Sequence, residues 1–351
     1  MRPWGDLPGD DPGRDRKQRE AELEAAGIDL DPTPPSGRRP LDDHGPAGHA
    51  HPHQQSQPGE TPVIGIVGAG AVGTALGVAL SRAGWPIHAV SSRDASRRER
   101  FRSLVDVNRA FVDPEPLVEE VELIILSVPD DAIAPLASTL RMYGGQAMIH
   151  TSGALGADVL APAMAAGTQV GSFHPLVAFA DTERAVTALH GATVTIEADD
   201  QLAAMLASMA EAIGATPVRL AAGSKAAYHA AAVLAAGGFV ALLDAIAELG
   251  RVAGLDEAGS LAIYGDLIEG TLGNARALGI ATALTGPITR GDLGTLRAHL
   301  DALRTHAPRA LALYVAAGRR EIDLAEGRGA LDADAATAMR RALDDAVARS
   351  D

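Results

Sequence analysis

From Thr61 the chain reads Thr-Pro-Val-Ile-Gly-Ile-Val-Gly-Ala-Gly-Ala-Val-Gly, and no other stretch limits its fold as tightly. Residues 63–67 have the unbroken, β-branched character of a buried strand. Glycines then stand at 68, 70 and 73, and a helix of small apolar residues begins at once. In that setting the three glycines have separate tasks. Gly68 makes the tight turn, Gly70 lets backbone approach a pyrophosphate, and Gly73 lets helix and strand pack closely. The first helical amides, at Ala71, Val72 and Gly73, then face the phosphates. A ligand-free strand–helix turn or a methyltransferase loop would use similar glycines, but a strand entering and a helix leaving are what a dinucleotide site requires.

Further on, strand and helix patterns alternate. Apolar runs at 87–91, 122–128, 147–151, 169–174, 192–197 and 216–220 read as strands, with helices between them, for instance at 71–83, 130–141 and 201–213. This predicts an α/β domain over 61–222, a doubly wound, mostly parallel Rossmann-type sheet covered on both faces, with ligands beyond the carboxyl ends of its strands. After Ala222 the strands stop. Helical patterns at 223–253, 256–278, 293–303, 308–317 and 332–348 predict a separate all-helical domain over 223–351. The first of these is rich in Ala and Gly with few charges over 226–243, which suits burial against the sheet domain, a partner subunit or both.

Residues 1–60 differ from the rest. They are rich in Pro, Gly, Asp, Arg and His, with one short helical stretch at 19–26, and cannot bury enough apolar surface to offset their ordering entropy. A disordered tail is the expectation. His44, His49, His51 and His53 could chelate a metal, but nothing around them fixes their geometry, so no metal site is expected.

Composition narrows the function. A formal net charge of −15 argues against nucleic acid as a partner, because phosphate binding needs a basic face. The absence of cysteine excludes disulfides, thiolate metal sites and a Cys nucleophile, and suits a reducing, cytoplasmic setting. No charged start precedes an apolar run, and Gly and charge interrupt the long apolar stretches, so neither a signal peptide nor a membrane span is expected.

At the second strand's end stand Ser91, Ser92 and Arg93, about where NAD enzymes carry an acidic residue for the ribose. Two hydroxyls and a guanidinium suit a 2'-phosphate instead, with Arg97 and Arg98 adding positive charge. NADP is therefore favoured over NAD. The alternative gives Asp94 the acidic role and leaves the arginines as a solvated face. Ser127 and Pro129 head another loop beside the cofactor, where Asp130 either caps the next helix or touches the ligand.

Chemistry-bearing residues cluster after later strands. The sequence His150-Thr151-Ser152-Gly153 offers a hydroxyl and amides to a substrate carboxylate, or simply a helix cap. Its surroundings lack the G-x-S-x-G of a hydrolase nucleophile. His174 ends a strand at the ligand crevice, where a structural or a functional role is open. Of the 30 basic residues two are lysines, Lys17 and Lys225. Lys225 begins the long apolar helix, and His229 follows four residues on, so both lie on one face. Unlike Arg, Lys can be tuned by burial to give up a proton near neutrality. In the loop 285–292, Asp292 suits a helix cap and Arg290 is available for a carboxylate or a neighbouring subunit.

Taken together, the glycine loop, Val128-Pro129-Asp130, His150-Thr151-Ser152-Gly153, Phe173-His174-Pro175-Leu176, Lys225-Ala-Ala-Tyr-His229 and Gly286-Pro-Ile-Thr-Arg-Gly-Asp292 resemble bacterial Rossmann-like proteins whose C-terminal helical half is a domain of unknown function. That family is similar in plan to pyrroline-5-carboxylate reductase, the β-hydroxyacid dehydrogenases and the ketopantoate reductases. The resemblance covers about residues 61–320 and implies a nucleotide-binding domain followed by a helical, dimerising one. In the β-hydroxyacid dehydrogenases a lysine on the first interdomain helix, followed four residues later by asparagine, lies at the reacting carbon. Lys225 matches that lysine by position, whereas His229 replaces the asparagine.

The expectation is an NADPH-dependent oxidoreductase that reduces a small 2-oxo or imino acid, such as a ketopantoate-like substrate, in a cleft between the domains. Lys225, assisted by His229 or His174, would supply the proton, and Ser152, Gly153 and Arg290 would hold the carboxylate. A homodimer through the helical domain is expected. Two rivals remain: a non-catalytic NAD(P)-binding sensor or partner protein, and the same fold using a deazaflavin.

Overall fold

The structure, a computed structural model, describes residues 61–221 and 223–348. The N-terminal segment with its four histidines lies outside the described residues. The chain divides into two units, one ending at Ala232 and the other running from Val233.

In the first unit, eight strands form one sheet: β1 (Ile64–Val67), β2 (Ile87–Ser91), β3 (Arg109–Phe111), β4 (Leu123–Leu126), β5 (Ala147–His150), β6 (Gln169–Pro175), β7 (Thr193–Ala198) and β8 (Thr216–Arg219). Their spatial order is β3-β2-β1-β4-β5-β6-β7-β8. Strands β1 to β6 are mutually parallel, β7 runs antiparallel to β6, and β8 runs parallel to β7. Chain order reverses between β1 and β4, the switch point where a doubly wound sheet opens a crevice.

Alternation along the central strands builds two cores. Ile64, Ile66, Leu123, Ile125 and Ile149 point into one, with the helices α1 (Ala71–Arg82), α4 (Thr182–Leu189) and α5 (Asp200–Ala212). Ile124, Leu126 and Met148 point into the other, against α3 (Asp130–Thr139) and the turns around Leu117 and Leu160. Both faces are covered, so these strands read as unbroken apolar runs rather than as alternating ones. The helix α2 (Ala95–Leu104) follows β2 and sends Phe101 against α1, where a Cβ on Gly77 would lie 2.5 Å from the Phe101 ring.

The sheet differs from the sequence expectation at one edge. Strand β3 has three residues and an exposed first residue, and pairs with β2 alone. A strand of three residues carries no period-2 signal.

Helix α6 (Lys225–Val233) closes the first unit, continues through a π turn at Leu234–Gly238, and meets α7 (Phe239–Val252). The expected interruption by glycine does not occur: Gly237 and Gly238 are absorbed by the π turn, so the run Lys225–Val252 is long and apolar enough to cross a membrane by length and composition. In the second unit α7 packs on α8 (Glu257–Leu278), and a Cβ on Gly250 would meet Ser260 Oγ. The helices α9 (Leu293–His306), α10 (Pro308–Gly327) and α11 (Ala333–Ala348) enclose a core that includes Leu296, Val315, Ile322, Met339 and Leu343. Helix α10 runs about ten residues beyond its expected end, because Gly318 sits against Leu343 and packs there rather than ending the helix.

Candidate active site

The glycine loop has the division of labour its spacing implies. Gly68 has φ +105°, and a Cβ there would lie 2.1 Å from the Ser127 carbonyl oxygen. A Cβ on Gly73 would lie 2.1 Å from the Gly68 carbonyl oxygen, so both positions are closed by backbone. Gly70 is the opposite case: no heavy atom stands within 4 Å of where its Cβ would be. Helix α1 begins there with no side-chain cap and no acidic residue in its first turn. Open space over uncapped amides at a positive dipole end fits a pyrophosphate.

That loop lies in a cleft of about 830 Å³. Ser91, Ser92, Arg93, Asp94 and Arg97 line one part of it, and Ser127, Pro129 and Asp130 line another. Asp94 is committed to capping α2, with its carboxylate accepting from the amides of Ser96 and Arg97 and from the Ser96 hydroxyl. These bonds hold its pKa down and give it the role of a helix cap. Arg98 donates to the Ser92 carbonyl over 2.5 Å and holds the turn from beneath. Arg93 is exposed and makes no ion pair among the described residues. Helix α3 begins with Asp130 in its first turn, after Pro129 at the N-cap position, so Asp130 is not the capping residue.

The same cleft reaches Thr151, Ser152, Gly153 and His229. Ser152 is buried, and its Oγ accepts from the amides of Ala154 and Leu155, closing a small turn. The Thr151 amide donates to Leu126 and the Ser152 amide to His150 Nδ1. Among the amides from Thr151 to Leu155, that of Gly153 has no hydrogen bond to another described residue. A Cβ on Gly153 would lie 2.3 Å from His229 Nδ1 and 2.8 Å from His174 Nε2, so two imidazoles press directly on this backbone. His229 Nδ1 is buried without a hydrogen-bond partner.

Lys225, His174 and Tyr228 stand behind this wall and do not line the cleft. Lys225 is 5% exposed and donates from Nζ to Ser172 Oγ on β6 over 2.6 Å. Burial pushes it down to about 8, against the pull of Glu197 and Asp130. His174 Nδ1 shares a 3.2 Å hydrogen bond with the Tyr228 hydroxyl, and its ring meets that of His229 edge-on at 5.8 Å. Burial first, then the Lys225 charge, pushes His174 down to about 4. The expected pair on one helical face is thus divided: His229 reaches the cleft, while Lys225 turns inward to Ser172. Arg290 belongs to the second unit, where it ends a 3₁₀ turn (Ile288–Arg290) and is exposed; the nearby Asp292 caps α9.

Residues 51–175 match a Rossmann-like domain, and residues 192–321 match a domain of unknown function, DUF2520. No curated protein matches the chain. Among solved structures, one from Bacteroides fragilis assigned as an NADP oxidoreductase is 26% identical, with a TM-score of 0.61 over 74% of this chain and 98% of that one. A Thermotoga maritima protein is 25% identical, with a TM-score of 0.59 over 76% of this chain and 99% of that one. A reductive aminase from Aspergillus terreus, solved with NADPH and ethyl levulinate, shares the fold at 19% identity, with a TM-score of 0.57 over 81% and 99% of the two chains.

Proposed function

Because the chain joins a Rossmann-like domain to a DUF2520 domain, we propose that it is an NADPH-dependent reductase of a small 2-oxo or imino acid. The observation that carries this reading is that one cleft holds both ends of such a reaction, the glycine loop with Ser91–Arg93 and the Ser152–Gly153 wall with His229. The similarity to the B. fragilis protein supports the same cofactor. Gly70 and the first amides of α1 hold the pyrophosphate, and Ser92, Arg93 and Arg97 take the 2'-phosphate. When bound, NADPH supplies a hydride to the carbonyl or imine carbon, and the substrate's oxygen or nitrogen takes a proton, leaving a hydroxy or amino acid and NADP⁺.

The chain's own part is to hold the acid and handle that proton. The Gly153 amide is the unspent donor at the cleft wall and takes a substrate oxygen. His229 stands beside it and gives the proton. Its buried Nδ1 abuts Gly153, which leaves the rest of the ring for the cleft. Lys225 acts from behind, its charge disfavouring a second cation on His174.

Exposed Leu234, Val240, Leu261, Ile263 and Leu267 lie along the π turn, α7 and α8, and large apolar side chains left exposed in this number suit an interaction site. Asp266 and Glu269 are exposed among them, which suits a second copy of the chain better than lipid. These exposed residues support a homodimer through the helical unit.

Titration with NADPH and a screen of NADPH oxidation against oxo and imino acids tests the function. Tight NADPH binding with turnover of one acid supports it. Binding without turnover, with NADPH altering the oligomeric state, would instead identify a sensor, a role that the inward turn of Lys225 would permit.

A further inference from the structure

His150, the last residue of β5, is fully buried and takes no part in the proposed reaction. Both of its ring nitrogens are in use. Nδ1 accepts from the Ser152 amide at 3.2 Å, and Nε2 lies 3.0 Å from the Gly156 carbonyl oxygen. An amide can only donate and a carbonyl can only accept, so the two bonds fix one tautomer, with the proton on Nε2 and a lone pair on Nδ1. A second proton would set N–H against N–H and break the bond to Ser152.

The loop held between those two points is Ser152–Gly156, the part of the cleft wall that carries Gly153. From Gly153 the geometry passes directly to His229 and His174, whose rings sit against its backbone. We infer that His150 is a positioning residue, a neutral imidazole that clamps both ends of the Ser152–Gly156 loop and thereby sets the Gly153 amide and the two imidazoles packed against it. The inference rests on the proposed use of that wall, but the clamp has its own observables.

The surroundings of His150 keep it neutral. Burial is the main cause that pushes it down to about 4, and Lys225 on α6 adds to it. Asp130 at the head of α3 and Asp158 on the turn Ala157–Leu160 oppose this, as does the bond to Gly156. His174 on β6 also faces the ring, and Glu197 on β7 holds the loop's far side by accepting from the Ala157 amide at 3.3 Å. Across the neutral range the clamp stays shut.

The test uses the full chain with ¹⁵N-labelled histidine, no substrate, and the variants His150→Leu and His150→Gln. A glutamine side chain carries a donor and an acceptor, so it can restore the clamp, whereas leucine can do neither. In the parent protein His150 should retain a protonated Nε2 and a bare Nδ1 down to about pH 5.5, where a free histidine is mostly protonated. In His150→Leu, amide exchange over 151–157 should rise about tenfold, as expected for two lost hydrogen bonds, and the His229 and His174 ring signals should move. His150→Gln should bring both back towards the parent. NADPH affinity, set at the other end of the cleft, should change less than about twofold in either variant, a shift too small to reflect a lost hydrogen bond. A protonated Nδ1 at pH 7, or unchanged exchange and ring signals in His150→Leu, would overturn the clamp and leave the reductase reading intact. Absence of any NADPH binding by the parent protein would remove the reductase reading without touching the clamp.

Discussion

Lys225 Nζ and Ser172 Oγ form a buried 2.6 Å hydrogen bond that ties the first turn of α6 to strand β6. The ammonium has given up most of its water for one hydroxyl, which is why its pKa falls to about 8. Because the folded pKa lies below the unfolded one, the folded state bears a penalty for the charge at neutral pH. That penalty fades as pH rises from about 8 to 10.5.

Lys225→Met is therefore expected to stabilise the fold at pH 7 by on the order of 1 kcal/mol, a Tm rise of roughly 2–4 °C. The gain should shrink by pH 10. Thermal melts at the two pH values check the sign, and a loss of NADPH-linked turnover in the same variant would tie Lys225 to the reaction.

His150 and His174 carry the opposite pH signature to a histidine paired with a carboxylate. Both are pushed to about 4 in the fold, so between pH 6.5 and 4 the unfolded chain binds more protons and stability is lost on acidification. Denaturant midpoints measured from pH 7 to pH 4.5 should fall throughout this window. His174→Gln should flatten the slope.

Gly153→Ala puts a methyl group where two imidazoles already stand. Relieving that overlap is expected to cost roughly 1–3 kcal/mol, and to shift His229 enough to lower turnover about a hundredfold. Cofactor titration should be nearly unchanged, because the glycine loop is untouched.

Arg93→Ala should weaken NADPH binding by roughly 10–100-fold, the value of a charge-assisted hydrogen bond. NADH has no 2'-phosphate and should bind with similar affinity to both forms. Fluorescence titration with the two cofactors makes the comparison, and equal losses would point to a general effect on the cleft.

Leu234 is 72% exposed and Leu267 is 66% exposed. Replacing both with Asp should convert a dimer to a monomer in sedimentation while leaving helix content unchanged. A parent protein that already sediments as a monomer would remove the dimer.

Much of the sheet was legible because local chemistry dictates it. Buried parallel strands such as β4 and β5 are continuous apolar runs, and the glycine loop states its geometry residue by residue. The reversal of β7 was not legible, since the pairing of Phe173 with Ile196 and His174 with Thr195 is a tertiary choice that neither strand records. At the candidate site the sequence brought Ser152, Gly153, His174, Lys225 and His229 into view. It could not say that Lys225 turns to Ser172 while His229 takes the cleft, because two residues four apart on one helix share a face but not a depth. His150 was visible in the motif, yet its two bonds depend on where the loop returns at Gly156. Tyr228 gave no signal apart from lying between two residues of interest.

Gly70 adopts φ −78° and ψ −170°, a conformation open to any residue, and its missing side chain leaves a space that no protein atom uses. Folding is thus indifferent to a side chain at this position, whereas the proposed pyrophosphate site is not. Gly70→Val is expected to yield a protein of normal stability that no longer binds NADPH, a reference against which every other variant can be judged.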